Sequence, residues 1–125
     1  MQAFTFHNPT KIVFGPGTIA RVGEEARPLG SRALLVYGRS SIRESGILER
    51  LLGQLRRQGI DVIEHGGVRP NPLLSHAREG VRLSCREKVD FVLAAGGGSV
   101  IDESKAIAAG VMTRGNCGTF FAAKQ

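Results

Sequence analysis

Three consecutive glycines, Gly96, Gly97 and Gly98, stand between an apolar run at residues 89–95 and a segment of helical periodicity. Ser99 follows them directly, and Asp102 lies three residues beyond it. Glycine lets backbone approach a ligand closely because no side chain intervenes. A helix that follows presents unpaired N–H groups and the positive end of its dipole. That environment suits a pyrophosphate. The same residues also suit a tight turn closed by a capping box, with Ser99 as the cap and Asp102 favoured by the dipole. Three glycines exceed what a cap needs, since each adds backbone entropy lost on folding. Named phosphate motifs do not match: Asp102 stands where a P-loop has Gly-Lys-Ser/Thr, and Ile101 where G-x-G-x-x-G has its last glycine. The residues alone leave both readings open.

This loop is one of three that close short apolar runs. "YGRSSIRESG" follows residues 32–37, "GGVRPNP" follows 60–65, and "GGGSVID" follows 89–95. A fourth run lies at 11–15, and the stretch "FTFHNPTKIVF" that leads into it reads as a peripheral N-terminal β-hairpin turned at Asn8-Pro9. Between the runs lie charged amphipathic stretches. Residues 17–30 suit a short helix closing at Pro28 to Gly30. Residues 45–59 place Ile47, Leu48, Leu51, Leu52 and Leu55 at helical spacing and stop at Gly59. Residues 71–88 align Leu74, Ala77, Val81 and Cys85, and 99–110 align Val100, Ser104, Ile107 and Ala108. Strand-like runs alternating with helices predict an α/β fold, a parallel sheet covered by helices on both faces. In such a sheet ligands bind beyond the carboxyl ends of the strands, where these three loops fall.

A chain of 125 residues supports one domain, spanning 1–125, with a core but not two ordinary ones; 42% hydrophobic and 22% charged residues place it among folded rather than disordered chains. The net charge of +6 is compatible with nucleic acid, an anionic membrane or a phosphorylated small ligand. Its arginines are scattered, with no basic block and little aromatic interleaving, so neither a nucleic-acid nor a membrane partner is expected. Cys85 and Cys117 form no CxxC, which indicates neither a disulfide framework nor a zinc knuckle. With no signal-peptide pattern and no apolar run of spanning length, a reducing cytoplasm is the expected location. His7, His65 and His76 have no ligand spacing and read as surface or strand-end residues, so no metal site is assigned to this chain.

"NPTKIVFGPGTI", "LLVYGRSSIRESGILERL" and "GGVRPNPLLSHAREGVRLSCREKVDFVLAAGGGSVIDESKAIAAG", in this order and spacing, resemble the N-terminal domain of the iron-dependent (group III) alcohol dehydrogenases, in their butanol dehydrogenase-like branch. The resemblance covers residues 4 to about 110, and implies a Rossmann-like domain that binds a nicotinamide dinucleotide, NADP or NAD. By position, Gly97, Gly98 and Ser99 would hold the pyrophosphate. Asn71 and the loop Gly38, Arg39, Ser40 and Ser41 would surround the adenosine ribose, and Asp102 would sit beside the cofactor. Gly96 would serve the turn or the ligand. NAD-preferring relatives place Asp after the first strand of this set; Gly38 with Arg39, Ser40 and Ser41 beside it suits a 2′-phosphate and favours NADP.

The resemblance also implies a downstream helical domain that holds Fe2+ or another divalent metal through one Asp and three His, and that supplies the pocket for a primary alcohol or aldehyde. A homo-oligomer is compatible with it. None of those metal ligands maps onto this chain, so no catalytic residue is assigned here. The segment from about 111 to 125, "VMTRGNCGTFFAAKQ", resembles the family only loosely, and the chain reads as a truncated piece of a longer dehydrogenase, inactive by itself. The alternatives are a stand-alone nucleotide-binding module without catalysis and a nucleic-acid binder that uses the +6 charge.

Overall fold

The structure is a computed structural model that describes residues 3, 5, 11, 13–39, 41–70 and 74–114. The first helix, α1 (Val22–Ala26), is flanked by 3-10 turns at Thr18–Arg21 and Arg27–Leu29. Then come β1 (Arg32–Tyr37), α2 (Ser41–Glu44), α3 (Ile47–Arg57), β2 (Asp61–His65), α4 (Leu74–Glu87), β3 (Phe91–Ala95) and α5 (Gly98–Arg114). The expected N-terminal hairpin falls mostly on residues outside the described ones. The last helix runs through Gly110 to Arg114, four residues past the expected stop.

The three strands form a parallel sheet in the order β2-β1-β3. β1 is central and reads as an unbroken apolar run because both its faces are covered, with Ala33 to Tyr37 all buried. Its side chains alternate between two cores. Leu34 and Val36 pack with Val92 from β3, Ala77 from α4, and Val100, Ile107, Ala108 and Val111 from α5. On the opposite face Ala33 joins Ala26, Leu55, Ile60 and Phe91, while Leu35 and Tyr37 join Ile42, Leu48 and Leu51. The stripe of α3 is what seats it there: Leu48, Leu51 and Leu55, at helical spacing, are its buried residues.

The amino-terminal edge of the sheet is tied by Asp90. Its Oδ2 accepts the backbone N–H of Ser31 at 2.8 Å and of Arg32 at 3.0 Å, joining the start of β1 to the start of β3. Asp90→Ala would strand two N–H groups, and is expected to cost about 1–3 kcal/mol of stability, read from urea midpoints.

Candidate functional site

The chain leaves β1 to form β2 on one side and returns across it to form β3 on the other, so the direction of strand order reverses between β1 and β3. Loops that leave neighbouring strands in opposite directions open a crevice at their carboxyl ends, the place where open parallel sheets take ligands. The loops at this crevice begin at Gly38, after β1, and at Gly96, after β3.

Gly96 makes the turn. Its φ is +150°, and a Cβ there would stand 2.7 Å from Val100 Cγ2, so a side chain is excluded by both conformation and space. Gly97 and Gly98 have a different character. Both are exposed, and among the described residues a Cβ on either would meet no neighbouring group within 4 Å. The space beside Gly97 and Gly98 is therefore open to an incoming group.

The helix start corrects the capping-box expectation. The Gly97 carbonyl accepts the first intrahelical bond, from Ile101 N–H at 3.1 Å, and the helix begins at Gly98. Gly97 is thus the N-cap, and Ser99 lies inside the first turn, one residue past Gly98. The Ser99 hydroxyl donates instead to the Pro70 carbonyl at 2.6 Å, bridging to the loop after β2. With no side chain from the helix itself covering its first N–H groups, they face the open space. Asp102 is exposed, one turn further on.

The loop after β2 closes on the same edge. Gly67 N–H donates to the Gly38 carbonyl at 3.0 Å and Val68 N–H to the Tyr37 carbonyl at 3.1 Å. Gly38 has ordinary room around it, with Val68 O and Val100 Cγ2 the nearest atoms a Cβ would meet, at 3.8 and 4.0 Å. Arg39 is exposed, and among the described residues it has no ion-pair partner. Ser41 opens α2, while Ser40 and Asn71 lie outside the described residues. So the structure brings Gly38, Gly97, Gly98 and Ser99 to one crevice, with the loop that leads toward Asn71 fastened across it.

Beneath this edge lies a cluster that sequence spacing did not disclose. His65 closes β2, His76 sits in the first turn of α4 and Glu103 lies on the buried face of α5. His76 Nδ1 is 2.6 Å from Glu103 Oε2, and the two imidazole rings stack with centroids 4.1 Å apart. His76 Nε2–H donates to the Gly66 carbonyl at 2.9 Å, and His65 Nε2–H to the His76 carbonyl at 2.9 Å. His65 is a strand-end residue, as one of the two expected readings had it, but its side chain is only 6% exposed. Ligand atoms of the three residues lie within 4.8 Å of one another, a His2Glu set of the type zinc takes. The donors are already engaged by oxygens, however, and the arrangement is that of a hydrogen-bonded chain. The signal for it was Glu103, three residues from Val100 and four from Ile107, a carboxylate on an apolar stripe.

Burial holds the His65 ring below its ordinary pKa of 6.5, partly offset by the hydrogen bond to the His76 backbone. The folded state therefore favours the neutral ring, and just below pH 6.5 the unfolded chain binds more protons than the folded one. This contribution to stability is complete above that pH and is lost as pH falls from it toward the lower folded-state value. Urea midpoints at about pH 7.5 and about pH 5.5 should differ, with the acid value lower, and His65→Gln should shrink that difference.

A parallel sheet with helices on both faces and an open glycine loop at its carboxyl edge is a Rossmann-like α/β domain. The sequence matches the family of iron-containing alcohol dehydrogenases over residues 9–124, and the chain belongs to that family. It is 48% identical over 116 residues to the probable NADH-dependent butanol dehydrogenase 1 of Bacillus subtilis (strain 168), covering 93% of this chain and 30% of that protein. It is 44% identical over 109 residues to the NADPH-dependent aldehyde reductase YqhD of Escherichia coli (strain K12), covering 87% of this chain and 27% of that protein. The crystal structure of NADH-dependent butanol dehydrogenase A from Thermotoga maritima superposes with a TM-score of 0.85 at 47% identity, over 94% of this chain and 30% of that one. The chain thus spans about a third or less of the length of these relatives. Among the described residues no helix is long and apolar enough to cross a membrane.

Proposed function

We propose that this chain is the dinucleotide-binding portion of an NAD(P)-dependent dehydrogenase that interconverts a primary alcohol and an aldehyde. The observation that carries this reading is the open space before the first turn of α5. Gly97 and Gly98 present bare backbone there, at the reversal of strand order. Their N–H groups and that of Ser99 would hold the pyrophosphate, whose charge the helix dipole favours. The adenosine ribose would lie toward Gly38, Arg39, Ser40, Ser41 and Asn71, with Asp102 beside the cofactor.

A nicotinamide dinucleotide, when bound, supplies the hydride-transfer chemistry. What this chain contributes is its placement: a rigid helix start for the phosphates and a second loop closing over the first. The polarising metal would be held by ligands outside this chain. NADP is the preferred dinucleotide in this reading. Gly38 carries no carboxylate to repel a 2′-phosphate, and the Arg39 guanidinium is free to approach one. Relatives of both preferences occur, one named as NADH-dependent and another as NADPH-dependent.

Turnover by this chain alone is expected to stay at background with butanol or butyraldehyde, while added NADPH raises its melting temperature. Metal-dependent turnover from pure material would contradict the division of labour proposed. Absence of any thermal shift with either dinucleotide at millimolar concentration would contradict the binding role.

A further inference from the structure

The Glu103 side chain is 1% exposed, and its Oε1 has no hydrogen-bond partner among the described residues. A buried carboxylate with an unpaired oxygen costs stability that a packed apolar residue would not. The pair it forms is therefore poorly explained as a stabilising device, and its connections indicate another role. Both ring nitrogens of His76 face acceptor oxygens, Glu103 Oε2 on α5 and Gly66 O at the start of the loop after β2. The ring is thereby held at both ends. It spans from the core face of α5 to the first residue of the 66–70 loop.

The other end of that loop is fastened to the same helix, since the Ser99 hydroxyl donates to the Pro70 carbonyl at 2.6 Å. Its middle is fastened to β1 by Gly67 and Val68. His65 completes the support by stacking on the His76 ring and donating to the His76 carbonyl, which fixes both the ring and the first turn of α4. Every tether of the loop thus leads to β1, α4 or α5, the elements that frame the crevice.

We propose that His76 and Glu103 are positioning residues for the dinucleotide, holding the 66–70 loop in register with the first turn of α5. The inference rests on the cofactor reading given above, and it assigns specific residues beneath the site to its preorganisation. Neither residue touches the cofactor. Their effect reaches it through Gly66 and Pro70.

The test measures NADPH affinity by fluorescence titration for the unsubstituted chain, Glu103→Gln, His76→Gln and Val111→Ala. Val111 is a buried residue of α5 with no part in the chain of hydrogen bonds, and it reports what general destabilisation does to binding. Either latch variant is expected to raise Kd roughly tenfold, and Val111→Ala to leave it within about twofold. Hydrogen exchange at the Gly67 and Val68 amides should accelerate in the latch variants at temperatures where they remain folded. Should Glu103→Gln fail to fold, the partly exposed His76→Gln carries the comparison. Equal Kd in the latch variants, or an equal rise in Val111→Ala, would overturn this proposal alone. No NADPH or NADH binding by the unsubstituted chain would overturn it together with the cofactor reading. A thermal shift with Zn2+ that His76→Gln abolishes would make the cluster a metal site and overturn the positioning role.

Discussion

Gly98→Asp should abolish dinucleotide binding while leaving the fold intact. The added carboxylate would project from the first turn of α5 into space where a Cβ meets no neighbouring group within 4 Å among the described residues. An acidic residue at that position is favoured by the helix dipole, so the melting temperature should hold or rise. A pyrophosphate in the same space would meet a like charge at contact distance. At the effective dielectric of a protein surface this is worth about 4 kcal/mol, or roughly a thousandfold in Kd. A capped turn with no ligand role would show the unchanged melting temperature without the loss of binding, so calorimetry of both quantities on one sample separates the two.

The second large effect is expected at Gly38. Its φ is not in the left-handed region, and its nearest Cβ neighbours are at ordinary contact distances, so aspartate is tolerated there. Gly38→Asp should weaken NADPH by about 3 kcal/mol, roughly a hundredfold, through repulsion of the 2′-phosphate, while NADH changes little or improves. The ratio of the two Kd values is the readout, and it should invert. An equal loss for both dinucleotides would place the ribose elsewhere.

The sheet was legible because its signal is local. Buried parallel strands are continuous apolar runs, and the expected 32–37, 60–65 and 89–95 agree with Arg32–Tyr37, Asp61–His65 and Phe91–Ala95 within a residue or two. The helical stripe of 45–59 was equally plain, and its leucines are the buried face of α3. The glycine loop was legible as a feature and only half legible as a mechanism. Ser99 followed by Asp102 has the letters of a capping box, but letters do not say which residue is the cap. The choice was made by a contact 29 positions away, at Pro70.

The same limit hid the His65, His76 and Glu103 cluster. Its hydrogen bonds span 11 and 27 positions, and no periodicity connects residues at the end of a strand, the first turn of one helix and the core face of another. Topology brings them together: α4 and α5 pack side by side on the face of the sheet where β2 ends. Glu103 on its apolar stripe was the one residue whose type demanded a partner, and a charge at such a position is the place to look for one.

Dinucleotide binding at the start of α5 is tested most directly by isothermal titration of NADPH into the unsubstituted 125-residue chain with Gly98→Asp alongside. A single site should saturate with the unsubstituted chain and vanish in the variant at equal thermal stability. Binding of equal affinity in both, or no heat from either NADPH or NADH at millimolar concentration, would contradict it.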